Sequence, residues 1–246
     1  KNSSGFIIVK NICFVTGSRA DYGLLSHLMM FVKKDKNYKL QIISPGSHLS
    51  TKFGNTYTEI DKNKLKIDKK IKILGNQDQP ISILKSTSLA LSKISKAYKE
   101  LKPDLIIILG DRYEIFSAAI AAKFMRIPIA HFHGGEITEG VIDDKIRNII
   151  TQSSYYHFPC TETYKRKIIQ MGMDKKKIFN VGSINVDMIK SVDYRNNLKI
   201  FNKLNIEIND KYCMLTLHPA NLEKNFDLEK YLKNIFYVLD KLKIKT

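Results

Sequence analysis

Apolar and polar positions alternate along this chain in two distinct rhythms. Short unbroken apolar runs occur at Ile12–Val15, Leu40–Ile43, Leu105–Leu109, Ile127–Ala130, His157–Pro159 and Ile178–Val181. Between them lie longer stretches with helical spacing: Tyr22–Val32, Ile81–Leu101, Ile115–Lys123, Asp144–Ser153 and Thr163–Met171. A continuous apolar strand is buried on both faces, and its regular exchange with amphipathic helices predicts an α/β fold. The expected architecture is a Rossmann-like parallel sheet with right-handed crossovers and helices on both sides.

The rhythm weakens after Gly182-Ser183-Ile184-Asn185. A polar stretch, Ser191–Asp210, precedes one further strand-like run, Tyr212–Leu217, and one helix-like run, Leu228–Leu242. This places a first domain at 1–185 and the start of a second at 186–246. One strand and one helix bury too little apolar surface to stand alone, so the second domain is expected to be incomplete. The chain starts at Lys1 rather than Met, which suggests a fragment or a processed chain.

In an open parallel sheet, ligands bind beyond the carboxyl ends of the strands. The residues that follow each apolar run therefore carry the chemistry. After the first run comes TGSRADYG (16–23). Gly17 and Ser18 can present backbone N–H groups to an anion at a helix start, with Arg19 as a phosphate fork; the alternative is a plain loop capped by Ser18 or Asp21. The motif is not GxGxxG, which disfavours a dinucleotide cofactor. SPGSHLSTKFG (44–54) suggests a flexible cover carrying His48, or else a surface loop with that histidine exposed. LGDRYE (109–114) sets Asp111 at a strand tip beside Arg112. Asp111 reads as a general base or hydroxyl ligand, or as a helix N-cap forming a capping box with Glu114.

The segment 131–148, HFHGGEITEGVIDDKIRN, is the densest. It gathers His131, His133, Glu136, Glu139, Asp143, Asp144 and Arg147. Neighbouring carboxylates drive their pKa values apart and can divide acid and base duties. On an extended strand His131 and His133 would share a face and could ligate a metal, though no recognised signature completes such a site. Asp143 and Asp144 also suit the positive end of a helix. Finally, LTLHPAN (215–221) puts His218 at a strand tip, followed by Pro219 in a first helical turn.

Composition narrows the partners. Of 246 residues 43% are hydrophobic and 26% charged, which suits a packed core. The net charge of +17 raises nucleic acid as a partner. Against it, Arg19, Arg112, Arg126, Arg147, Arg166 and Arg195 are the only arginines among 41 basic residues, and the lysines are scattered. Base and phosphate recognition favours arginine, so the charge reads as a solvated lysine-rich surface. Cys13, Cys160 and Cys213 are far apart and read as small buried hydrophobes in a reducing compartment. No apolar run approaches a membrane span, and a cytoplasmic protein is expected.

Taken in order, TGSRADYG, GDRYE (110–114), HFHGGE (131–136), DDKIRNIIT (143–151), VGSINVD (181–187) and LHPAN (217–221) resemble the UDP-N-acetylglucosamine 2-epimerase family, most of all its hydrolysing branch. The non-hydrolysing branch carries a GTRPE-like first loop and an HVEAG-like fourth loop in place of those seen here. The resemblance implies a two-domain fold similar to the B-type glycosyltransferases (GT-B) and a UDP-sugar substrate. It also implies no metal and no nicotinamide. The implied reaction is anti elimination of UDP to a glycal, then hydration to the C2-inverted free sugar, as in sialic-acid-type synthesis. UDP-GlcNAc and UDP-N,N′-diacetylbacillosamine are both open as substrates.

By the same resemblance Asp111 is the catalytic aspartate, and Asp143 and Asp144 are the acidic pair before Arg147. Arg19 and His218 are the basic residues on the phosphate side. His133 stands where several relatives carry Glu, while Glu136 is kept, so the choice between those two stays open, as does that between Asp143 and Asp144. Gly17, Ser18, Arg112, Arg147 and Asn185 complete the expected substrate-binding set. Relatives continue beyond residue 246, so this stretch alone is expected to be inactive. Expected partners are the UDP-sugar and further copies of the chain, with neither nucleic acid nor membrane. The alternatives are a UDP-sugar glycosyltransferase of the same architecture, which has no need of so many acids in the fourth loop, and a nucleotide-sugar or nucleic-acid binding module.

Overall fold

The computed structural model describes residues 9–49, 57–73, 79–139, 142–190, 198–207, 210–216 and 227–243. The chain divides into two compact units, Lys1–Thr138 with Ile142–Ile189, and Glu139–Val141 with Lys190–Thr246.

The first unit is built on a parallel six-stranded sheet. Its strands are β1 (Lys10–Val15), β2 (Tyr38–Pro45), β3 (Lys69–Ile71), β4 (Leu105–Leu109), β5 (Ile129–Phe132) and β6 (Tyr156–Phe158), in the spatial order β3-β2-β1-β4-β5-β6. The order reverses between β1 and β4, which makes their carboxyl ends the topological switch point where such sheets bind ligands.

Alternation along each strand explains the two cores. Cys13, Val15, Ile106, Ile108 and Ile129 point to one face. They pack there with Ile94, Ala97 and Tyr98 of α3 (Pro80–Leu101), with Ile115 and Ala118 of α4 (Tyr113–Phe124), and with Ile150 of α5 (Asp143–Ser153). Ile12, Phe14, Ile107, Leu109, Ala130 and Phe132 point to the other, against Tyr22, Leu25 and Met29 of α1 (Arg19–Lys34) and Ile60 of α2 (Tyr57–Lys62). Helix α4 is buried almost all round, which is why its middle reads Ser117-Ala118-Ala119-Ile120-Ala121-Ala122: small side chains let α3 and α5 approach from both sides. α6 (Glu162–Gln170) and α7 (Ile184–Lys190) complete this unit.

Two strand expectations fail. Ile178–Val181 makes only a single parallel bridge, Ile178 with His157, and the exposure of Phe179 and Val181 shows that the run is not buried between layers. The sixth strand is instead β3, whose sequence Lys69-Lys70-Ile71 carries almost no apolar signal because it lies at the sheet edge. In the second unit, Tyr212 forms an isolated bridge and residues 213–216 no strand, with Met214 90% exposed. Leu217 lies outside the described residues. That unit also contains α8 (Leu198–Lys203) and the amphipathic α9 (Leu228–Lys241), capped by Asp227. No described helix is long and apolar enough to cross a membrane.

Candidate active site

Because β1, β4 and β5 run in parallel, the loops after Val15, Leu109 and Phe132 emerge at one edge of the sheet. Three groups of charged side chains lie along it.

The first surrounds the start of α1. Ser18 caps this helix and accepts a hydrogen bond from the Asp21 amide at 3.3 Å. Asp21 replies with one carboxylate oxygen that accepts from the Gly17 and Ser18 amides, each at 3.1 Å. The N–H groups expected to meet an anion are therefore already engaged by a carboxylate of the chain itself. Burial pushes the Asp21 pKa up to about 6, against the hydrogen bond from Ser18 and the charge of Arg112. Arg19 points into solvent and pairs with Glu59 of α2 at 2.9 Å.

The second group joins β4 to α4. Arg112, not Asp111, is the N-cap residue of α4, and no side chain caps that end. The expected capping box between Asp111 and Glu114 is thus absent. Glu114 is fully buried and accepts from Arg112 Nε at 3.3 Å. It packs against the Gly17 and Gly46 backbones. A Cβ at Gly46, where φ is +75°, would come within 2.5 Å of Glu114 Oε1.

Asp111 is free of the cap because it serves the third group. Arg147 of α5 is buried and donates to Asp111 Oδ2. The same guanidinium donates twice to Thr138 Oγ1, both at 3.1 Å. Asp144 lies 4.0 Å from Arg147 Nη1, and its Oδ1 accepts from the Thr138 amide at 3.1 Å. Asp144 is thereby occupied in fixing the loop. Asp143 differs. Burial and then the negative charge of Asp111 raise its pKa, and Arg112 and Arg147 only partly oppose this.

His133 does not share a strand face with His131. It follows β5 with φ +60°, so the chain turns and the two rings part. His131 is sealed below the loop, with Nε2 2.9 Å from the Gly110 carbonyl oxygen and Nδ1 3.2 Å from Thr151 Oγ1. A carbonyl only accepts, so Nε2 carries the proton. Burial holds the His131 pKa down to about 3. It is a neutral structural ring, not a ligand.

His133 Nδ1 instead meets Glu136 Oε1 at 2.8 Å, while its Nε2 is buried with no hydrogen-bond partner among the described residues. Cys160, just past β6, donates its thiol to the same Glu136 oxygen at 3.0 Å. Burial pushes Glu136 up, but the hydrogen bonds from His133 and Cys160 and the charges of His133 and Arg147 win, so its pKa lies below the ordinary value. The same contact, after burial, raises the Cys160 thiol to about 12. Gly135, with φ +76°, lets the loop lie on α6: a Cβ there would come within 2.8 Å of Ile168 and 2.9 Å of the Tyr164 carbonyl oxygen.

Several residues differ from expectation. Cys160 is not a buried hydrophobe but a half-buried partner of Glu136. Nothing in the sequence around it marks this, since the contact joins residues 24 positions apart. Thr138 was likewise unmarked. His48 is buried, not exposed on a cover: its Nε2 lies 3.0 Å from Thr16 Oγ1 on a 3₁₀ turn, Gly46–Leu49. Asn185 sits in the first turn of α7 with its amide oxygen buried and without a partner among the described residues. Residues 50–54 and His218 lie outside the described residues.

Comparison with known proteins bears on what this edge is for. A family model described as UDP-N-acetylglucosamine 2-epimerase matches residues 31–246. The chain is 42% identical over 234 residues to the GDP/UDP-N,N′-diacetylbacillosamine 2-epimerase (hydrolyzing) of Campylobacter jejuni, covering 95% of this chain and 60% of that protein. It is 34% identical to the UDP-N,N′-diacetylbacillosamine 2-epimerase (hydrolyzing) of Legionella pneumophila, covering 87% of this chain and 56% of that one. The fold matches the crystal structure of a UDP-GlcNAc 2-epimerase from Neisseria meningitidis bound to UDP-GlcNAc, with a TM-score of 0.77 at 17% identity over 94% of this chain and 63% of that one. The chain thus spans about 60% of the length of such relatives.

Proposed function

The chain belongs to the UDP-N-acetylglucosamine 2-epimerase family, and we propose that its full-length protein is a hydrolysing UDP-sugar 2-epimerase. It would act without metal or nicotinamide, in the cytoplasm and as a homo-oligomer. UDP-N,N′-diacetylbacillosamine is the favoured substrate over UDP-GlcNAc, since relatives named for the former are 42% and 34% identical.

One observation carries this reading: Asp111 paired with Arg147, Asp143 beside it, and Glu136 held by His133 and Cys160 gather after β4 and β5, in surroundings that favour the charged form of Glu136 and disfavour that of Asp143. The chemistry needs such a pair. An ionised carboxylate takes the C2 proton. The C2–H electrons become the C1–C2 double bond, and the C1–O bond breaks, with UDP leaving on its electron pair. A protonated carboxyl then returns a proton to C2 from the other face, and water adds its oxygen at C1 while giving up one proton to a third carboxylate. Glu136 suits the first task and Asp143 the second. Asp111 lies near enough to Asp143 to raise its pKa and is oriented by Arg147, and this supports assigning it the proton that the adding water gives up. Asp144 is assigned to holding Thr138, and His133 to orienting Glu136.

Arg19, Arg112 and His218 are proposed to meet the diphosphate, Arg19 by exchanging Glu59 for it. The occupied Gly17 and Ser18 amides leave little role for that loop as an anion nest. The Asn185 amide oxygen, buried without a partner among the described residues, is suited to accept from a substrate hydroxyl or amide.

The decisive measurement is the product formed in heavy water by the full-length protein with a chelator present. We expect free sugar inverted at C2, deuterium at C2, solvent oxygen at C1 and UDP in equal amount. A sugar that keeps its C2 hydrogen would make the protein a simple hydrolase. UDP release that waits for an acceptor would make it a transferase.

A further inference from the structure

His133 Nδ1, Glu136 and Cys160 Sγ lie within 4.8 Å of one another, and the first and last both touch the same Glu136 oxygen. The arrangement is one imidazole nitrogen, one carboxylate oxygen and one sulfur, brought together from two loops that follow β5 and β6. Three protein ligands with a fourth position open to solvent or a ligand is the donor pattern of an accessible zinc site. Sulfur with nitrogen selects Zn²⁺ and Co²⁺ over Mg²⁺ and Ca²⁺.

The distances fit a modest rearrangement. The contacts of 2.8 and 3.0 Å are hydrogen-bond lengths. Tetrahedral zinc would hold these ligand pairs roughly 3.3–3.6 Å apart, given zinc–nitrogen, zinc–oxygen and zinc–sulfur bonds of about 2.0–2.3 Å. Each of the two Glu136 pairs therefore opens by about half an ångström. The loop that must move is the one pinned by Gly135 on α6, and its partner Cys160 sits at the start of the segment leading into the same helix.

We propose that His133, Glu136 and Cys160 form a binding site for a thiophilic divalent cation such as Zn²⁺, and that occupancy shuts the enzyme off by taking Glu136 as a ligand. The inhibitory half of this statement rests on the catalytic role assigned to Glu136 above; the binding half does not. Binding exchanges the Cys160 S–H proton for the metal, and the proton goes to solvent. No redox step is involved.

Cobalt gives a readout that does not depend on turnover. Full-length protein, stripped with a chelator and titrated with Co²⁺ alone, is expected to show a near-ultraviolet thiolate-to-cobalt band. The band should be lost in Cys160→Ser, kept in Cys213→Ser, and displaced by Zn²⁺. A wild-type protein without the band, or a band that survives Cys160→Ser, overturns the site. In parallel, saturating Zn²⁺ should lower UDP release by about a hundredfold, the scale of losing an acid or base, and a chelator should restore it. Undiminished turnover with the cobalt band present overturns the inhibitory role. A band in a protein that releases no UDP from any UDP-sugar leaves the site standing and removes the epimerase reading instead.

Discussion

Two carboxylate groups share one edge of the sheet and have opposite fates. Glu114 and Asp21, beside β1 and β4, are consumed by the chain: Glu114 by Arg112 and by close packing on Gly46, Asp21 by two backbone amides. Asp111, Glu136 and Asp143, beside β4 and β5, are held but not exhausted. Their partners shift their proton affinities or orient them, and one neighbour, His133, keeps a buried nitrogen that bonds to none of the described residues. The first group uses charge to build the floor of the site. The second, in the proposed reading, keeps charge available for a substrate. A strand-tip carboxylate is thus identified by what its neighbours leave over, and position alone does not separate the two kinds.

The sharpest way to break this distinction is Asp111→Asn in the full-length protein. Turnover should fall by about 10²–10⁴-fold, with a change in unfolding free energy below about 1 kcal/mol, since Asp111 caps no helix. Comparable losses of stability and turnover would put Asp111 in the structural group.

Acid should expose the scaffold under the second group. His131 and His157 are buried there, and His48 beside the first. Burial lowers their pKa values from 6.5 to about 3, 4 and 4. A histidine with a depressed folded pKa contributes stability that is complete above its unfolded pKa and is lost as pH falls toward the folded one. Asp21 runs the other way, raised from 3.8 to about 6, so it is costly ionised and relieved in acid. Three histidines outweigh one aspartate, each pKa unit carrying about 1.4 kcal/mol. Urea midpoints should therefore decline from pH 6.5 to about 4, and a flat profile would show that these rings are not buried neutral.

The smallest effect is expected from Glu114→Gln. It keeps shape but removes the charge that partners Arg112, and should cost about 1–3 kcal/mol of stability while kcat moves little. A large fall in kcat without loss of stability would move Glu114 into the reacting group.

Much of this was legible in the sequence, and the exceptions have physical causes. Five strands and the long helices follow from periodicity because they are buried on two faces or one. β3 escapes because an edge strand of three residues carries two lysines and one isoleucine. Ile178–Val181 misleads because its apolar residues pack partly on their own surface: Phe179 stacks with Phe158 at 5.6 Å, a contact no strand pattern encodes. Within the site, Asp111, Glu136 and Asp143 stand out through their place after strands. The difference in surroundings between Asp143 and Asp144 does not, because it depends on which one meets the Thr138 amide. Cys160 is hidden for the same reason, since the identity of its neighbour is decided by the packing of β6 beside β5.

The central place of β1 has a consequence in time. Its two neighbours arrive at very different moments in synthesis. β2 follows it closely, pairing Ile12 with Leu40, but the other edge is completed only when Leu105 lies opposite Ile12. Until α3 has been made and β4 has been delivered past it, this strand, buried from Ile12 to Val15, has an open side. Parallel pairings at such sequence separation close slowly, and unpaired strands associate with one another meanwhile. Recovery of native protein should therefore be governed by how long a growing chain waits between residue 15 and residue 105, so slower elongation over α3 would lower the yield more than the same delay placed after β4.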